Sequence, residues 1–173
     1  MNIVESALLG FAVGDALGLP VQFVPRARIL KPITKMLARE SINMPAGSWS
    51  DDTSLIIATM SAFLTPLYID TFDIMENFTK WIKEGDFTPT GKAFDVGQTT
   101  LKAINNFMFK KSEPTQCGLI SQNSCGNGSL MRILPIAFIA LSQKLDEEGV
   151  LRLTNKLSSL THRHEICILG CYI

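Results

Sequence analysis

Apolar residues recur at helical spacing along most of this chain, and polar residues mark where each apolar segment begins. The spacing predicts helices over residues 3–17, 52–64, 71–84 and 96–109. A further apolar helix containing Pro135 and a helix capped by Asp146 follow. The pattern therefore predicts one all-α domain of several helices that spans residues 1–173.

Two segments carry additional expectations about packing. Gly10, Gly14 and Gly18 are spaced by four within the first helix, which predicts a buried central helix that a neighbouring backbone approaches closely. Residues 19–48 contain four prolines and are long for a loop without structure, so we expect a short helix there and movement as a flap.

Composition excludes several classes of protein. Of 173 residues, 46% are hydrophobic and 18% are charged, with 16 basic and 16 acidic side chains. This balance is typical of a globular domain and favours neither nucleic acid nor an anionic membrane as partner. Glu5 and Asp15 interrupt the N-terminal apolar stretch, and the apolar segments 55–64 and 133–141 are too short to span a bilayer. We expect a soluble cytoplasmic protein without a membrane segment.

Residues 49–53 are the most informative short stretch. Ser50, Asp51 and Asp52 are adjacent hard oxygen donors, which suit Mg²⁺, Mn²⁺ or Ca²⁺. An apolar run follows directly, so these residues are predicted to begin a helix. The alternative is that they only cap that helix.

A second stretch surrounds Asn127. Gly126 and Gly128 allow positive φ, so successive N–H groups can turn inward and bind an anion such as a diphosphate. The alternative is an ordinary Asn-Gly turn.

Two further acids occur in apolar surroundings. Asp15 lies within the first helix, where we expect it to have a structural role because a lone buried carboxylate is costly. Asp95 is predicted at a helix start, either as a simple N-cap or as a member of one cleft with residues 51–52.

Two other candidate sites are less well supported. Residues 85–92 resemble a phosphate loop, but five residues separate the glycines and Ala93 replaces the required hydroxyl, so we reject that interpretation. His162, His164, Cys167 and Cys171 have the residue types of a zinc site. The cysteines alternate with Ile and Leu, and the chain has no CxxC pair, which favours buried free thiols.

Taken in order, five stretches resemble the N-terminal part of the ADP-ribosylglycohydrolase family. They are GDALGLPVQF at 14–23, WSDDT at 49–53, FDVGQTT at 94–100, GNGSLMRILP at 126–135 and THRH at 161–164. The family consists of all-α hydrolases that remove ADP-ribose from modified side chains, often arginine or serine, with two Mg²⁺ or Mn²⁺ ions. The resemblance covers nearly the whole chain.

The resemblance implies a role for each matched residue. Asp51, Asp52 and Asp95 would be catalytic. The same resemblance makes Ser50, Asp51 and Asp52 metal ligands. The substrate, ADP-ribose on a protein, would contact Gln22, Gly126, Asn127, Gly128, Ser129, Met131 and His162. The implied reaction is hydrolysis at the anomeric carbon of a ribose, with a metal-activated water and carboxylates that stabilise an oxocarbenium-like ring.

The chain departs from the family pattern at two places. Gln22 replaces a glutamate, and an amide cannot act as a base. The family's other metal ligands come from an Asp-x-Asp-Thr motif near its C-terminus, whereas the residues after His164 contain one acid, Glu165. We therefore expect that the family's C-terminal helices are lacking. We also expect the apolar end, residues 166–173, to be covered in a homodimer or by a complementing C-terminal fragment. The alternative function is a non-catalytic relative that binds ADP-ribose or a protein partner.

Overall fold

The computed structural model describes residues 2–63 and 69–173, which form seven α-helices and no β-strand. The all-α prediction is confirmed. The helices are α1 (Ile3–Gly18), α2 (Asp51–Ser61), α3 (Thr71–Glu84), α4 (Gln98–Lys110), α5 (Leu134–Gln143), α6 (Glu147–Ser158) and α7 (Glu165–Tyr172).

Local sequence signals fix where several helices begin. The Asp70 carboxylate accepts a hydrogen bond from the Phe72 N–H at 2.7 Å and caps α3. Asp146 accepts from the Gly149 N–H at 2.8 Å and caps α6, as predicted. Pro135 lies in the first turn of α5, where its missing N–H costs nothing. The predicted end of the second helix, at residue 64, lies outside the described residues.

The hydrophobic core lies between α2, α3, α4, α5 and α6. Leu55, Phe78, Trp81, Ile104 and Leu160 are each fully buried there. Large aromatic side chains contribute most to such a core because each removes the greatest apolar area from water. This core holds α2 by its buried apolar residues, and the N-terminus of α2 carries Ser50, Asp51 and Asp52.

The prediction that the first helix is buried is wrong. Ala16 is the one residue of α1 that is buried, and an added Cβ at Gly10, Gly14 or Gly18 would meet no atom within 4 Å. The sequence pattern showed an apolar helix, but it could not show which element packs against it. Beside α1 lies an apolar cavity of about 420 Å³ lined by Leu8, Phe11, Ala12, Trp49, Ile56 and Met60, among others.

The N-terminal helix also has the length and composition of a membrane span. Among the described residues, one segment, Ile3–Val21, meets both criteria, with a mean hydropathy of 1.4. Sequence analysis set this stretch aside because Glu5 and Asp15 interrupt it.

The long connection before α2 contains three short 3₁₀ turns, at Leu19–Val21, Arg26–Arg28 and Glu40–Ile42. An isolated antiparallel bridge joins Arg39 to Met44. The connection is therefore not structureless, and its movement as a flap stays a prediction.

Candidate active site

Ser50 begins the site by capping α2. Its Oγ accepts a hydrogen bond from the Asp52 N–H at 3.3 Å and donates one to the Asp52 carboxylate at 3.1 Å. Asp51 and Asp52 occupy the first turn of α2, as predicted. Free N–H groups and the positive end of the helix dipole make this turn favourable for negative charge.

Asp15 of α1 accepts hydrogen bonds from residues at the start of α2. One of its carboxylate oxygens accepts three hydrogen bonds, from the Ser50 N–H at 3.0 Å, the Thr53 N–H at 3.1 Å and the Thr53 hydroxyl at 2.6 Å. Asp15 therefore joins α1 to the N-terminus of α2, which is the structural role expected for it.

Four carboxylates lie within electrostatic reach of one another, and we call Asp15, Asp51, Asp52 and Asp95 the acid cluster. Burial, followed by the charges of Asp52, Asp95 and Asp15, raises the pKa of Asp51 to about 8. Burial and the charge of Asp15 also raise the pKa of Asp52. Within residues 2–63 and 69–173, the side chains form one ion pair. It joins Arg152 to Glu148 on the surface of α6, away from the acid cluster. The acid cluster is thus a concentration of negative charge without a matching protein cation.

Asp95 does not cap α4, so that part of the prediction is wrong. The helix begins at Gln98, and its N-cap is Gly97, which makes no side-chain capping bond. Asp95 precedes this cap and has a left-handed backbone, with φ of 57°. Its carboxylate instead accepts a hydrogen bond from the Gln22 side-chain amide.

Gln22 joins Asp95 to an arginine that sequence analysis did not single out. The Gln22 Oε1 accepts from Arg39 Nη1 at 2.8 Å, and the Gln22 carbonyl accepts from Arg39 Nη2 at 3.2 Å. The amide orientation follows from its neighbours, because an arginine can only donate and an ionised carboxylate can only accept. Gln22 therefore separates Arg39 from Asp95 and prevents a direct ion pair.

Trp49 directly precedes Ser50, and its side chain fixes the position of the backbone there. Its indole N–H donates to the Phe87 carbonyl at 3.2 Å, which joins the start of α2 to the connection between α3 and α4. Trp49 is half-buried and also lines the apolar cavity beside α1.

Residues 126–129, which we call the glycine loop, lie close to His162 and α4. Neither Gly126 nor Gly128 has a positive φ, so the prediction that they adopt this conformation is wrong. A glycine is present at position 128 because a larger side chain would not fit there. A Cβ there would lie 2.6 Å from His162 Cε1 and 3.0 Å from the Thr100 hydroxyl oxygen. The loop approaches both residues because glycine lacks a side chain.

The remaining residues of the loop differ in exposure. Gly126 and Asn127 are exposed, whereas Gly128 and Ser129 are buried. Met131 follows the loop and packs against the hydrophobic core as a half-buried residue. The 3₁₀ turn that contains it, Leu130–Arg132, packs against α2, which brings the loop towards the helix that carries Asp51.

His162 has a fixed backbone and a buried ring. Its N–H donates to the Ser158 carbonyl at 2.8 Å, and its carbonyl accepts from the Ser158 hydroxyl at 2.8 Å. A parallel bridge to Leu119 holds the same turn. Burial, together with the charge of Arg132, lowers the pKa of His162 to about 4, so the ring is neutral at pH 7.

The C-terminal helix places two thiols against the glycine loop. Cys171 Sγ donates to the Ser129 hydroxyl oxygen at 3.3 Å, and Cys167 Sγ donates to the Gly126 carbonyl at 3.9 Å. The other histidine, His164, caps α7 by accepting from the Ile166 N–H. Among the described residues, no group of three His, Cys, Asp or Glu side chains is placed to hold a metal ion.

Comparison with known proteins then decides the family. A model of the ADP-ribosylglycohydrolase family matches residues 2–173. The chain belongs to this family. ADP-ribosyl-[dinitrogen reductase] glycohydrolase of Rhodospirillum rubrum is 31% identical over 95% of this chain and 53% of its own length. ADP-ribosylarginine hydrolase Tri1 of Pseudomonas putida (strain GB-1) is 29% identical over 77% of this chain and 35% of its own.

A solved structure supports the same assignment. A chain of an ADP-ribosylglycohydrolase-related protein complex superimposes with a TM-score of 0.73 at 26% identity, covering 96% of this chain and 51% of that chain. The chain thus spans about half the length of that structure, and between 35% and 53% of the two curated relatives.

The donors at the start of α2 agree in chemistry with the divalent cations that the family resemblance implies. Two carboxylates and a hydroxyl are hard ligands, and the pKa of Asp51 is raised first by burial and then by the neighbouring carboxylates, whose charge a cation would offset. They form part of a ligand set, because Mg²⁺ takes six oxygen ligands and Ca²⁺ takes more. Water, substrate or other protein residues would supply the remainder.

Sequence analysis missed three residues at this candidate site. Arg39 contacts Gln22, Thr100 contacts Gly128, and Arg132 lies near His162. Thr100 and Arg132 stood inside stretches that matched the family, whereas nothing near Arg39 in the sequence indicates its contact.

Proposed function

We propose that this chain acts as a Mg²⁺-dependent hydrolase that removes ADP-ribose from modified protein side chains. The observation that carries the proposal is the acid cluster at the start of α2, in a member of the ADP-ribosylglycohydrolase family. Charge repulsion of this kind is costly to fold and is retained where a ligand offsets it.

The carboxylates have two roles in this proposal. Ser50, Asp51 and Asp52 hold Mg²⁺, and Mn²⁺ suits the same donors. When bound, the ion orients a water molecule and lowers its pKa. Asp95 faces the same cleft and stabilises the positive charge that develops on the ribose ring as the glycosidic bond breaks.

The glycine loop and its neighbours bind the substrate. Gly126 and Asn127 are exposed, and in this proposal their backbone N–H groups bind the diphosphate. Gly128 brings the loop against His162, and Ser129 and Met131 complete the contact surface. The proposed substrate is therefore ADP-ribose attached to a protein side chain.

A specific observation favours a second candidate, a non-catalytic protein that binds ADP-ribose or a protein partner. Gln22 occupies the position at which the family has a glutamate, and both ends of its amide are engaged, with Arg39 and with Asp95. An amide is too weak a base to accept a proton from water, so Gln22 cannot act as a general base. Hydrolysis in this chain would then depend on the acid cluster alone.

Calorimetric titration of ADP-ribose into the protein, first with Mg²⁺ and then with chelator, tests the metal site. We expect binding that requires Mg²⁺ and that is lost in the double variant Asp51→Asn, Asp52→Asn. The matched control is Glu147→Gln, Glu148→Gln. These are also adjacent acids in the first turn of a helix, but both are exposed and lie in α6. Equal binding by both double variants would contradict the proposal.

Release of ADP-ribose from ADP-ribosyl-arginine and ADP-ribosyl-serine peptides separates the two candidates. Mg²⁺-dependent release that the Asp51→Asn, Asp52→Asn variant lacks supports the hydrolase. Binding without release, at protein concentrations above the dissociation constant, supports the non-catalytic candidate.

We also propose that the exposed apolar surface is covered by a second copy of the chain or by a complementing fragment. Ile166, Leu169 and Ile173 are at least half exposed on α7, as are Ile3 and Leu9 on α1. Apolar surface of this extent marks an interaction site. Light scattering that shows a monodisperse monomer would count against self-association.

A further inference from the structure

Arg132 is a buried cation that packs against an aromatic ring. Its side chain is 1% exposed, and its guanidinium carbon lies 5.1 Å from the centroid of the Phe78 ring. Nη2 donates to the Leu157 carbonyl at 2.9 Å and to the Thr161 hydroxyl oxygen at 2.8 Å. Burial lowers the pKa of Arg132 only to about 10, so the group stays protonated at pH 7 and offers donors alone.

The Thr161 hydroxyl connects this arginine to the histidine. Its oxygen accepts from Arg132, so its own hydrogen must point elsewhere. The His162 Nδ1 lies 2.9 Å from the same oxygen, and the described residues give the hydroxyl no other acceptor. Thr161 is fully buried, and a hydroxyl hydrogen without a partner there would be costly. Thr161 therefore donates to Nδ1.

This direction of donation decides which nitrogen of His162 carries a proton. Nδ1 acts as an acceptor, and a neutral imidazole has one acceptor nitrogen and one N–H. Since the ring is neutral at pH 7, the proton is on Nε2.

Nε2 faces the glycine loop. It lies 3.2 Å from the position that a Cβ on Gly128 would occupy and 3.8 Å from the corresponding position on Gly126. No hydrogen-bond partner for this nitrogen is found in the residues that the structure describes. An N–H donor thus points towards the place where the proposed function puts a diphosphate and a ribose.

We propose that Arg132 and Thr161 are positioning residues that hold neutral His162 in its Nε2–H form, so that Nε2 donates a hydrogen bond to an oxygen of ADP-ribose over the glycine loop. The ligand in this inference rests on the proposed function. The assignment of the proton does not depend on the ligand, because it rests on the contacts among the three side chains and on the neutral state of the buried ring. His162 in this state is a hydrogen-bond donor and takes no part as a general base.

Long-range ¹H–¹⁵N correlation spectra of the ¹⁵N-labelled protein at pH 7 read the proton position directly. The chain has two histidines, so a His164→Gln variant assigns the signals of His162. We expect a protonated Nε2 and an unprotonated Nδ1. A proton on Nδ1 would overturn the proposal whatever the protein binds.

Two variants at Thr161 test the positioning role. Thr161→Val keeps the shape but removes the hydroxyl, and we expect mixed protonation of the ring and about tenfold weaker binding of ADP-ribose. Thr161→Ser keeps the hydroxyl and serves as the matched control, with ring signals and affinity like those of the original protein. If the valine variant does not fold, Thr161→Ala replaces it.

The outcomes separate this inference from the proposed function. A changed proton position in Thr161→Val with unchanged ADP-ribose affinity would overturn the donor role alone. Absence of ADP-ribose binding by the unaltered protein would overturn the proposed function and the donor role together, while the spectrum still decides the proton position.

Discussion

Two buried polar groups lie near the proposed substrate cleft, and they are built in opposite ways. In the acid cluster, like charges face one another, and burial and repulsion raise the pKa of Asp51 to about 8. In the chain of Arg132, Thr161 and His162, each contact pairs a donor with an acceptor. The charges of the first group are offset only when something binds, whereas the contacts of the second form within the fold, although Arg132 Nε and Nη1 have no hydrogen-bond partner among the described residues.

This difference indicates which residues respond to ligand and which prepare for it. A cluster of carboxylates changes its protonation when a cation arrives, because the cation favours the ionised form. A chain of paired donors and acceptors, such as Arg132 to Thr161 to His162, keeps its geometry, which allows it to present one donor at a fixed place. Substitutions in the acid cluster should therefore have effects on stability that depend on pH and Mg²⁺ differently from those of substitutions in the hydrogen-bond chain.

The largest expected effect is that of Asp51→Asn on thermal stability. The folded pKa of Asp51, about 8, exceeds its ordinary value of 3.8. The carboxyl therefore stabilises the metal-free protein fully below pH 4, and this contribution is lost as the pH rises to about 8. We expect the melting temperature in chelator to fall over this range. In Asp51→Asn we expect a weaker fall and a melting temperature higher by roughly 5 °C at pH 8.

Mg²⁺ provides the control for that prediction. The ion should raise the melting temperature of the original protein most at high pH and leave that of Asp51→Asn nearly unchanged. If the melting temperatures of the original protein and of Asp51→Asn change with pH in the same way in chelator, the pKa of Asp51 is not raised in solution.

The next effect concerns His162 at acid pH. Its folded pKa, about 4, lies below its ordinary value of 6.5. The neutral ring therefore contributes stability above pH 6.5 that is lost as the pH falls towards 4, up to about 3 kcal/mol. His162→Gln should remove this acid limb from a plot of unfolding free energy against pH. His164→Gln, which alters the half-buried cap of α7, should keep it.

Gly128→Ala should show how closely His162 and Thr100 are packed against the glycine loop. The new Cβ would lie 2.6 Å from the His162 ring, so we expect a loss of about 1–3 kcal/mol in the free energy of unfolding by urea. Gly126→Ala is the matched control, because its Cβ would meet the same ring at 3.8 Å, an ordinary contact. A similar loss in both variants would point to backbone conformation rather than space.

Gln22→Glu should have the smallest effect on stability. It adds a carboxylate beside Asp95, and the resulting repulsion is partly offset by Arg39, so we expect a loss of about 0.5–1 kcal/mol in chelator. Gln116→Glu is the control, because Gln116 also accepts from an arginine, Arg163, but is exposed and outside the acid cluster. A stability gain in Gln22→Glu without metal would contradict the electrostatic account of the cluster.

The same variant sharpens the choice between the two proposed functions. Restoring the family's glutamate should increase the release of ADP-ribose from the arginine or serine peptides if Gln22 limits hydrolysis.

Sequence alone predicted α1 to α6 and several of their caps because those signals are local, whereas it did not predict α7. Asp70, Asp146 and Ser50 each contact a backbone N–H two or three residues away. Sequence analysis placed the start of α4 at residue 96, two residues too early. The left-handed backbone of Asp95 could not be read from the sequence, because Asp95 is not a glycine.

Other features depended on contacts between distant parts of the chain. The apolar spacing of α1 predicted a helix correctly, but burial depends on a neighbour that the pattern does not specify. Gly128 was read as a source of backbone freedom, whereas it provides space for a ring 34 positions later in the chain. Arg132 and Thr161 are likewise 29 residues apart in sequence.

Trp49 gives this protein an internal optical reporter. The chain has two tryptophans, and Trp81 is fully buried in the core, so its emission should stay constant when ligands bind. Trp49 directly precedes Ser50 and is half-buried beside the apolar cavity. A change in intrinsic fluorescence on adding Mg²⁺, ADP-ribose or a covering partner should therefore come from Trp49. Occupation of the cleft can then be followed in real time without any added dye.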